Sequence, residues 1–402
     1  MQEYETVIIG AGAAGLMTAI QCGLKNIPVI VIDSQLKIGK KILISGGGRC
    51  NVTNQNISSK YFNCLSKNFV SGILKNFSKD DVINYFKKNG LPLKIEDEFQ
   101  KYFPISDKAS DVLNVFLNGL KQYDIPLLND VEIIEVSKEN DKFLLTAQNN
   151  HIIKCVNLII ATGGKSLPQS GSTGFGYQVA EKFGHKLICP SPALTPLLSE
   201  NTICHELSGY AVGVNVSLYE NNKKVKMFSG PMLFTHKGYS GPVVLNISRH
   251  YILSQTQDKF LEVNFLPEIS EDDFLSFLQN QSSDLISKIL RNYFSRHFVS
   301  YICELVEIPE DLNLSNLNKS KRVLLQKKLF HFKLEVNGFK DWPFAEVTSG
   351  GVDIKELCPK RLESKLCKNL FFCGEVIDVD GDLGGYNFQW AFSSGATIAK
   401  NL

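Results

Sequence analysis

The chain has 402 residues, which is too long for one ordinary domain and corresponds to roughly two or three domains. Hydrophobic residues make up 44% and charged residues 21%, so the composition excludes a disordered or fibrous protein and supplies a sizeable core. The 43 basic and 41 acidic residues nearly balance, which argues against a dedicated nucleic-acid or membrane-surface binder.

The cysteines and the N-terminal residues bear on cellular location. The ten cysteines form no CxxC pair and no His/Cys group with zinc-site spacing, so we expect reduced thiols and no metal site. The acidic start, residues 1–5, is unlike a signal peptide, and the longest apolar stretch, residues 7–20, is too short to cross a bilayer. We therefore expect a cytoplasmic protein without a membrane partner, and its oligomeric state stays open.

The first predicted elements form a strand–helix–strand unit. Residues 6–9 are an apolar run of the length of a buried parallel strand, and a helix-compatible stretch extends to about Lys25. Between them lies Gly10-Ala11-Gly12-Ala13-Ala14-Gly15, a GxGxxG motif. A second apolar run, residues 28–32, ends at Asp33. A strand before the motif, a helix after it and an acidic residue about 20 positions on together indicate a dinucleotide-binding site.

The spacing of this motif has a physical reason. Gly10 permits the tight turn, Gly12 lets the backbone approach a pyrophosphate, and Gly15 lets the helix pack closely on the strand. The N-terminus of the helix offers N–H groups and the positive end of a dipole to the phosphates. Asp33 can accept hydrogen bonds from ribose hydroxyls.

A glycine-rich loop comes next, where a nicotinamide dehydrogenase would continue with further βαβ units. Gly46-Gly47-Gly48 can expose backbone N–H groups and lie flat against a large planar ligand. Lys40, Lys41 and Arg49 add positive charge near the phosphates or near an anionic ring. We expect this loop to form part of the ligand site.

The middle of the chain changes character near Pro190. Before it, helices are predicted after the N-cap Ser78 and around 111–121, and a strand over 156–161 leads into Thr162-Gly163-Gly164. After it, alternating apolar residues predict β-structure over 191–267, followed by a helical part over 268–330. From residue 344 the α/β pattern returns, so we expect an insert, 191–343, between two parts of one domain, 1–190 and 344–402.

The C-terminal segment is predicted to complete the ligand site. A strand over 370–373 ends at Gly374-Glu375, and a glycine-rich acidic stretch leads to Gly384-Gly385 at the start of the last helix. A second helix N-terminus aimed at a ligand would stabilise negative charge there.

These motifs together resemble the BaiN/YhiN-like flavoproteins, which are also described as NAD(P)/FAD-dependent oxidoreductases or aminoacetone-oxidase-like enzymes. The resemblance extends over about residues 4–400, and its most specific stretch is Ser45 to Asn54. The other stretches that carry it are Gly10–Gly15, Ala161–Gly164, Leu233–Pro242, Gly374–Asp378 and Gly384–Gln389.

The resemblance implies an α/β fold, a glutathione-reductase-type FAD-binding (Rossmann-like) domain split by an inserted domain with a β-barrel-like part and a helical part. It implies FAD as the cofactor and does not imply one substrate. The sequence shows no second dinucleotide-binding motif, so the electron donor stays open, and NAD(P)H is the candidate for a transient donor. The expected FAD-binding residues are Gly10, Gly12, Ala13, Ala14, Gly15, Asp33, Ser34, Lys40, Lys41, Gly46, Gly47, Gly48, Arg49, Cys50, Asn51, Val131, Ala161, Thr162, Gly163, Gly164, Gly374, Glu375, Asp380, Gly384, Gly385, Tyr386, Asn387 and Gln389.

Catalytic candidates are fewer. Residues 238–242 read GYSGP, and Pro242 stands where a hydrolase elbow needs its second glycine, so Pro242 at the first position of a helix accounts for the motif. His236 and Tyr386 are candidates for proton transfer, and Arg49 for stabilising a negatively charged flavin. Cys50 follows a cation that would lower a thiol pKa, although a buried inert cysteine is the better interpretation.

The predicted function is an FAD-dependent oxidoreductase that exchanges a hydride between flavin and a small or medium organic substrate. A flavin oxidase that uses oxygen and a redox sensor without turnover are alternatives. A third alternative is an RNA-associated flavoprotein. The near-neutral charge and the absence of an aromatic and basic stripe in the sequence disfavour it, and no nucleic acid is expected as a partner.

Overall fold

The computed structural model describes residues 2–96, 99–280 and 283–402 of the chain. The chain divides into two units, the first formed by Met1–Pro192 together with Glu346–Leu402 and the second by Ala193–Ala345. The second unit is therefore inserted, in sequence, between two segments of the first. The sequence pattern predicts this insert over 191–343.

Strands and helices alternate in the first segment. Its strands are β1 (Gln2–Ile9), β2 (Val29–Ile32), β3 (Thr53–Asn54), β4 (Phe62–Asn63), β5 (Leu93–Glu96), β6 (Lys101–Pro104), β7 (Leu127–Leu128), β8 (Ile133–Glu139), β9 (Lys142–Ala147), β10 (Ile152–Ile160) and β11 (Leu187–Ala193). Its helices are α1 (Ala13–Gly23), α2 (Lys40–Gly48), α3 (Lys67–Asn76), α4 (Lys79–Lys88), α5 (Ala109–Gln122) and α6 (Phe175–Lys182).

The second unit and the returning segment follow in chain order. The strands of the second unit are β12 (Leu197–Leu198), β13 (Ala211–Glu220), β14 (Lys223–Thr235), β15 (Gly238–Ser240), β16 (Lys259–Asn264), β17 (Phe332–Leu334) and β18 (Gly338–Phe339). Its helices are α7 (Thr202–Glu206), α8 (Pro242–Leu253), α9 (Glu271–Asn280), α10 (Ile286–Leu290), α11 (Arg296–Val306) and α12 (Lys319–Phe330). The returning segment adds β19 (Val347–Val352), β20 (Leu370–Phe372), β21 (Asp380–Gly381) and α13 (Tyr386–Asn401).

A mainly parallel sheet lies at the centre of the first unit. Its order is β7-β2-β1-β10-β9-β8, and β20 pairs with β10. β1 runs parallel to β2 and to β10, and β20 runs parallel to β10, whereas β8 and β9 form an antiparallel edge. The apolar runs predicted as buried strands are confirmed, since Val7, Ile30 and Ile159 have no exposed surface. The predicted α/β, Rossmann-like fold class is confirmed.

Two helices of the first unit show why the sequence folds as it does. Ser78 caps α4 as predicted, because its hydroxyl accepts from the Asp81 N–H while the Asp81 carboxylate accepts from the Ser78 N–H, a capping box. The last helix, α13, crosses α1 closely at Gly395, where a Cβ would lie 2.6 Å from the carbonyl oxygen of Ala14. The C-terminal helix is therefore part of the same layer as the first helix.

The second unit has its own hydrophobic core around an antiparallel sheet. The order of that sheet is β17-β16-β13-β14-β15-β12-β18. α8 packs on β13 and β14, and it begins with Gly241 as N-cap and Pro242 at its first turn. The interpretation of Pro242 as the first residue of a helix is thus confirmed, and the residues before it, Gly238–Ser240, form β15. Among the described residues, no helix combines the length and the hydropathy that crossing a membrane requires.

Candidate cofactor site

The turn between β1 and α1 has the geometry that its glycines predict. A Cβ on Gly15 would overlap the carbonyl oxygen of Gly10, and a Cβ on Gly10 would overlap that of Ala161. Gly12 differs, because no atom lies within 4 Å of the position that its Cβ would take. α1 has no side-chain cap and no acidic residue in its first turn, so its N-terminal N–H groups and its dipole are available to an anion.

Asp33 lies at the carboxyl end of β2, beside this turn. Its Oδ2 accepts from the Ala11 N–H at 2.6 Å, and its Oδ1 accepts from the Gln35 N–H at 2.8 Å. Burial raises the pKa of Asp33, and the two N–H donors only partly oppose that effect. The Val131 N–H donates to the Asp33 carbonyl oxygen at 3.0 Å, which places Val131 next to Asp33, and its backbone contact with FAD stays a prediction.

The glycine loop is the kinked end of α2. Gly46, Gly47 and Gly48 all have positive φ, at 56°, 68° and 83°, and this succession requires glycine. Cys50 follows in a left-handed conformation and is completely buried. Burial raises the pKa of its thiol to about 12, so the thiol is protonated at neutral pH, as the interpretation of a buried inert cysteine predicts.

Lys41 and Glu375 form an ion pair that joins distant segments of the first unit. The Lys41 ammonium donates to Glu375 Oε2 at 2.8 Å and to the Ser166 hydroxyl at 2.7 Å. Glu375 Oε1 also accepts from the Ser166 hydroxyl at 2.6 Å and from the Thr348 N–H at 3.0 Å. Ser166 and Thr348 lie in no recognisable motif, so the sequence did not predict their part in this site. A direct contact of Lys41 or Glu375 with the cofactor stays a prediction.

Arg49 binds two carboxylates of the first unit. Its guanidinium donates to Asp107 Oδ1 from Nε at 2.9 Å and from Nη2 at 2.6 Å, it pairs with Glu96, and it lies 4.2 Å from the Phe103 ring centroid. Lys94 also pairs with Asp107. The charge of Arg49 is thus balanced locally by two carboxylates, and its catalytic role stays a prediction.

The N-terminus of α13 lies against the residues that follow the glycine loop. The N-cap Gly385 has φ of 94°, and a Cβ there would lie 2.6 Å from the Thr53 backbone. The Gly385 N–H donates to the side-chain oxygen of Asn51 at 3.0 Å, and Asn54 Nδ2 donates to the Gly384 carbonyl at 2.9 Å. The helix has no acidic residue in its first turn and no side-chain cap, so it too can stabilise an anion.

The polar side chains in the first turns of α13 are held inside the fold. Asn387 exchanges two hydrogen bonds with the Gly381 backbone, and Gln389 Oε1 accepts from the Thr53 hydroxyl at 2.6 Å. Tyr386 packs its ring 4.9 Å from that of Tyr61. Burial raises the pKa of Tyr386, so its hydroxyl is protonated at neutral pH. These contacts show a structural role, and direct cofactor contact by these side chains stays a prediction.

The remaining predicted residues fall in three places. Gly374 approaches α1, where a Cβ would lie 2.8 Å from the Ala14 Cβ, and Gly164 packs against Thr348 and Glu375. Asp380 is completely buried and accepts from the Ser349 hydroxyl at 2.9 Å. Ala13 lies at the start of α1. The side chains of Ser34 and Lys40 are hydrogen-bonded to Gln35. The residues that follow β10 are Ala161, Thr162 and Gly163.

His236 lies in the second unit, in the turn between β14 and β15. Its side chain is exposed, and its ring centroid lies 5.6 Å from that of His205, which is also exposed. Its proposed part in proton transfer stays a prediction. In residues 2–96, 99–280 and 283–402, no group of three or more His, Cys, Asp or Glu side chains is arranged to hold a metal ion.

The residues of the first unit fit FAD. The open space over Gly12 and the uncapped N-terminus of α1 suit a pyrophosphate, and Asp33 beside them suits a ribose. The uncapped N-terminus of α13 suits the negative charge of a reduced flavin. The fold and this site define a flavin-dependent oxidoreductase of the α/β, Rossmann-like class.

Comparison with known proteins gives the family. The chain belongs to the HI0933-like protein family, whose Rossmann-domain profile matches residues 4–401. It is 33% identical to a ribosomal RNA dihydrouridine synthase of Escherichia coli, over all of this chain and 98% of that protein. It is 35% identical to a protein of the same name from Haemophilus influenzae, over all of this chain and 99% of that protein.

Two further comparisons are more distant. The chain is 28% identical to a 3-dehydro-bile acid delta(4,6)-reductase of Clostridium scindens, over 96% of both chains, which confirms the resemblance to BaiN-like flavoproteins. A solved quinol-fumarate reductase with menaquinol aligns with 99% of this chain and 70% of its own, at a TM-score of 0.53 and 15% identity. At that identity the structural likeness shows the fold alone.

Proposed function

We propose that this protein reduces a carbon–carbon double bond that is conjugated to a carbonyl group. The observation that carries the proposal is the chemistry shared by the names of three relatives that each match almost the whole chain. Dihydrouridine forms when the C5–C6 double bond of uracil, conjugated to the C4 carbonyl, takes up two hydrogens. A 3-dehydro-Δ4,6 bile acid likewise carries its double bonds in conjugation with a 3-oxo group.

We infer that the substrate is a uridine in ribosomal RNA. The two relatives with this name share 33% and 35% identity with the chain, against 28% for the bile-acid reductase. This inference runs against the prediction that no nucleic acid is a partner. A small enone, such as a 3-oxo-Δ4,6 bile acid, is the second candidate because the third relative acts on that class.

The bound flavin would supply the hydride, and the residues of this chain would position and stabilise the reacting groups. The N-terminus of α1 and Asp33 would hold the pyrophosphate and the ribose. The N-terminus of α13 would stabilise negative charge on the ring. Tyr386 stays protonated at neutral pH and could therefore donate a hydrogen bond to a substrate carbonyl. NAD(P)H is the electron donor that we propose.

The test uses the FAD-loaded protein under anaerobic conditions with NADH or NADPH. One reaction receives ribosomal RNA from a strain that lacks the gene, and a parallel reaction receives a 3-oxo-Δ4,6 bile acid. We expect the RNA to gain a nucleoside heavier than uridine by two hydrogens, as measured by mass spectrometry of the digested RNA. Reduction of the steroid alone would favour the second candidate.

The control is the Gly12→Val variant, which we expect to lack FAD and to reduce neither substrate. In a separate experiment, air is admitted to the reduced wild-type protein and reoxidation of the flavin is timed. If the protein reduces neither substrate and oxygen reoxidises the flavin rapidly, the protein is an oxidase and the proposal is wrong.

A further inference from the structure

A row of four side chains crosses the outer face of the sheet in the second unit. It runs from Lys224 on β14 through Tyr219 on β13 and Phe260 on β16 to Lys333 on β17, and we call it the cationic row. The two rings are stacked, with centroids 5.0 Å apart and planes at 3°. The Lys224 ammonium lies 5.8 Å from the Tyr219 centroid, and the Lys333 ammonium lies 3.9 Å from the Phe260 centroid.

Strand register explains the row. Tyr219 lies opposite both Lys224 and Phe260 in the sheet, so their side chains share one face. Their neighbours Leu218 and Leu261 are buried on the opposite face. Lys224 and Lys333 are exposed, whereas the two rings are half-buried. The sequence does not show this arrangement, because its members come from four strands that are up to 114 residues apart.

Within the described residues, the two ammonium groups of the row form no ion pair. In the part of the chain that the structure describes, neither Lys224 nor Lys333 has a carboxylate within 4.0 Å, and the same holds for Lys223 and Lys226 at the adjoining hairpin. Other lysines, such as Lys321, are paired with acids.

An acidic residue, Glu262, lies opposite Lys333 in the strand register. It accepts from the Tyr219 hydroxyl at 3.1 Å and lies 3.2 Å from His331 Nδ1. The Glu262 carboxylate therefore contacts Tyr219 and His331 and forms no ion pair with Lys333.

Cross-strand stacking alone does not require two exposed cations at its ends. The rings hold the lysine stems in place, which lowers the entropy that the lysines lose when they bind an anion. Neighbouring strands are about 4.8 Å apart, so the row spans about 14 Å with a positive charge at each end. A chain of regularly spaced anions is the partner that fits such an array, and a phosphodiester backbone has this property.

We propose that the cationic row binds the phosphodiester backbone of the RNA substrate. This proposal rests on the proposed function for the identity of the partner. The proposal differs from the expectation that no nucleic acid is a partner. That expectation was based on the absence of an aromatic and basic stripe in the sequence, and the cationic row forms only when the four strands pair.

The experiment compares the FAD-loaded wild-type protein with a Lys224→Ala/Lys333→Ala variant. Binding of a labelled ribosomal RNA fragment is measured by fluorescence anisotropy over a series of salt concentrations. We expect weaker binding, and a slope of log affinity against log salt that is shallower by about one for each lysine removed. The matched control, Lys87→Ala/Lys121→Ala, removes two exposed charges from helices of the first unit and should bind like the wild type.

Further measurements separate the outcomes. Flavin content and reduction of the flavin by NAD(P)H should be unchanged in the Lys224→Ala/Lys333→Ala variant, which shows that the first unit is intact. Circular dichroism and urea unfolding of the variant should match the wild type, which excludes a folding defect in the second unit. Vesicles of anionic phospholipid serve as a second polyanion. The proposal is overturned if the variant binds RNA with wild-type affinity and salt slope, or if it loses vesicle binding and keeps RNA binding.

The outcome is independent of the test of the proposed function. If uridine in RNA is reduced but the variant binds RNA normally, the proposed role of the cationic row is wrong and the proposed function stands. If no uridine is reduced and RNA binding still depends on the two lysines, the function is wrong and the row stands as an RNA-binding surface.

Discussion

Replacement of Lys41 by methionine tests the ion pair that joins α2 to the segment after β20. The two charged atoms are 2.8 Å apart, and the side chains of Lys41 and Glu375 expose only 25% and 17% of their surface. Methionine keeps most of the stem and removes the charge, which leaves the Glu375 carboxylate without its cation. Breaking a buried pair in this way costs about 3–5 kcal/mol. The hydrogen bonds from Ser166 and Thr348 to Glu375 remain in the variant, so we expect the free energy of unfolding to fall by about 3 kcal/mol.

The assay is thermal and urea unfolding of the FAD-saturated protein, followed by circular dichroism. For a unit of this size, the expected loss lowers the Tm by roughly 6–12 °C. Lys40→Met is the matched control, because in the described residues the ammonium of Lys40 bonds the neutral groups of Gln35 and Gln169 and acts on Asp33 without an ion pair. It should change stability by less than about 0.5 kcal/mol. A Lys41→Met/Glu375→Gln double variant should recover part of the loss, since no buried charge remains unpaired.

The pH dependence gives a second readout. Burial alone would raise the pKa of Glu375, but Lys41, Ser166 and Thr348 outweigh burial and lower it. A carboxyl group with a lowered pKa in the folded state stabilises the protein above its unfolded pKa of about 4.3, and this contribution is lost as the pH falls through the folded pKa. The difference between wild type and Lys41→Met should therefore be constant near neutral pH and shrink in acid. The reasoning would be refuted if the free energies of unfolding of the wild type and Lys41→Met differ by less than about 1 kcal/mol near neutral pH. It would also be refuted if their difference persists in acid.

Gly12→Val should abolish FAD binding and leave the stability of the apo protein nearly unchanged, because its Cβ position is open and its φ of −84° suits any residue. Gly15→Ala should instead destabilise the fold, since its Cβ would overlap the Gly10 carbonyl; equal stability of the two apo variants in urea unfolding would contradict this. Arg49→Ala should leave the flavin reduction potential near the wild-type value, because Asp107 and Glu96 balance its charge. A redox titration of the variant that shows a clearly lower potential would contradict this expectation and support the catalytic role predicted for Arg49.

Local elements of the fold were predictable because their causes lie within a few residues. The turn at Gly10–Gly15 follows from the spacing of its glycines. Gly10 and Gly15 allow close contacts between backbone segments, and Gly12 leaves open space for a ligand. The capping box at Ser78 and the helix start at Pro242 depend on side chains within one turn of the chain. The apolar runs before Gly10 and Asp33 are long enough to identify parallel strands that are buried on both faces.

The partners of the charged site residues were not predictable in this way. Lys41 is followed 334 residues later by Glu375, and Arg49 lies 58 residues before Asp107, so no periodicity links them. The sequence indicated positive charge near the ligand, and only the tertiary structure placed carboxylates against it.

The cationic row of the second unit also could not be predicted from the sequence. By itself, the sequence determined a dinucleotide-binding α/β fold, the positions of its turn glycines and the acidic residue at the end of the second strand. The tertiary structure decided which lysines are balanced by acids, as Lys41 is, and which remain exposed cations, as Lys224 and Lys333 do. The physical reason is that backbone conformation follows from nearby residues, whereas charge pairing follows from which strands become neighbours in the sheet.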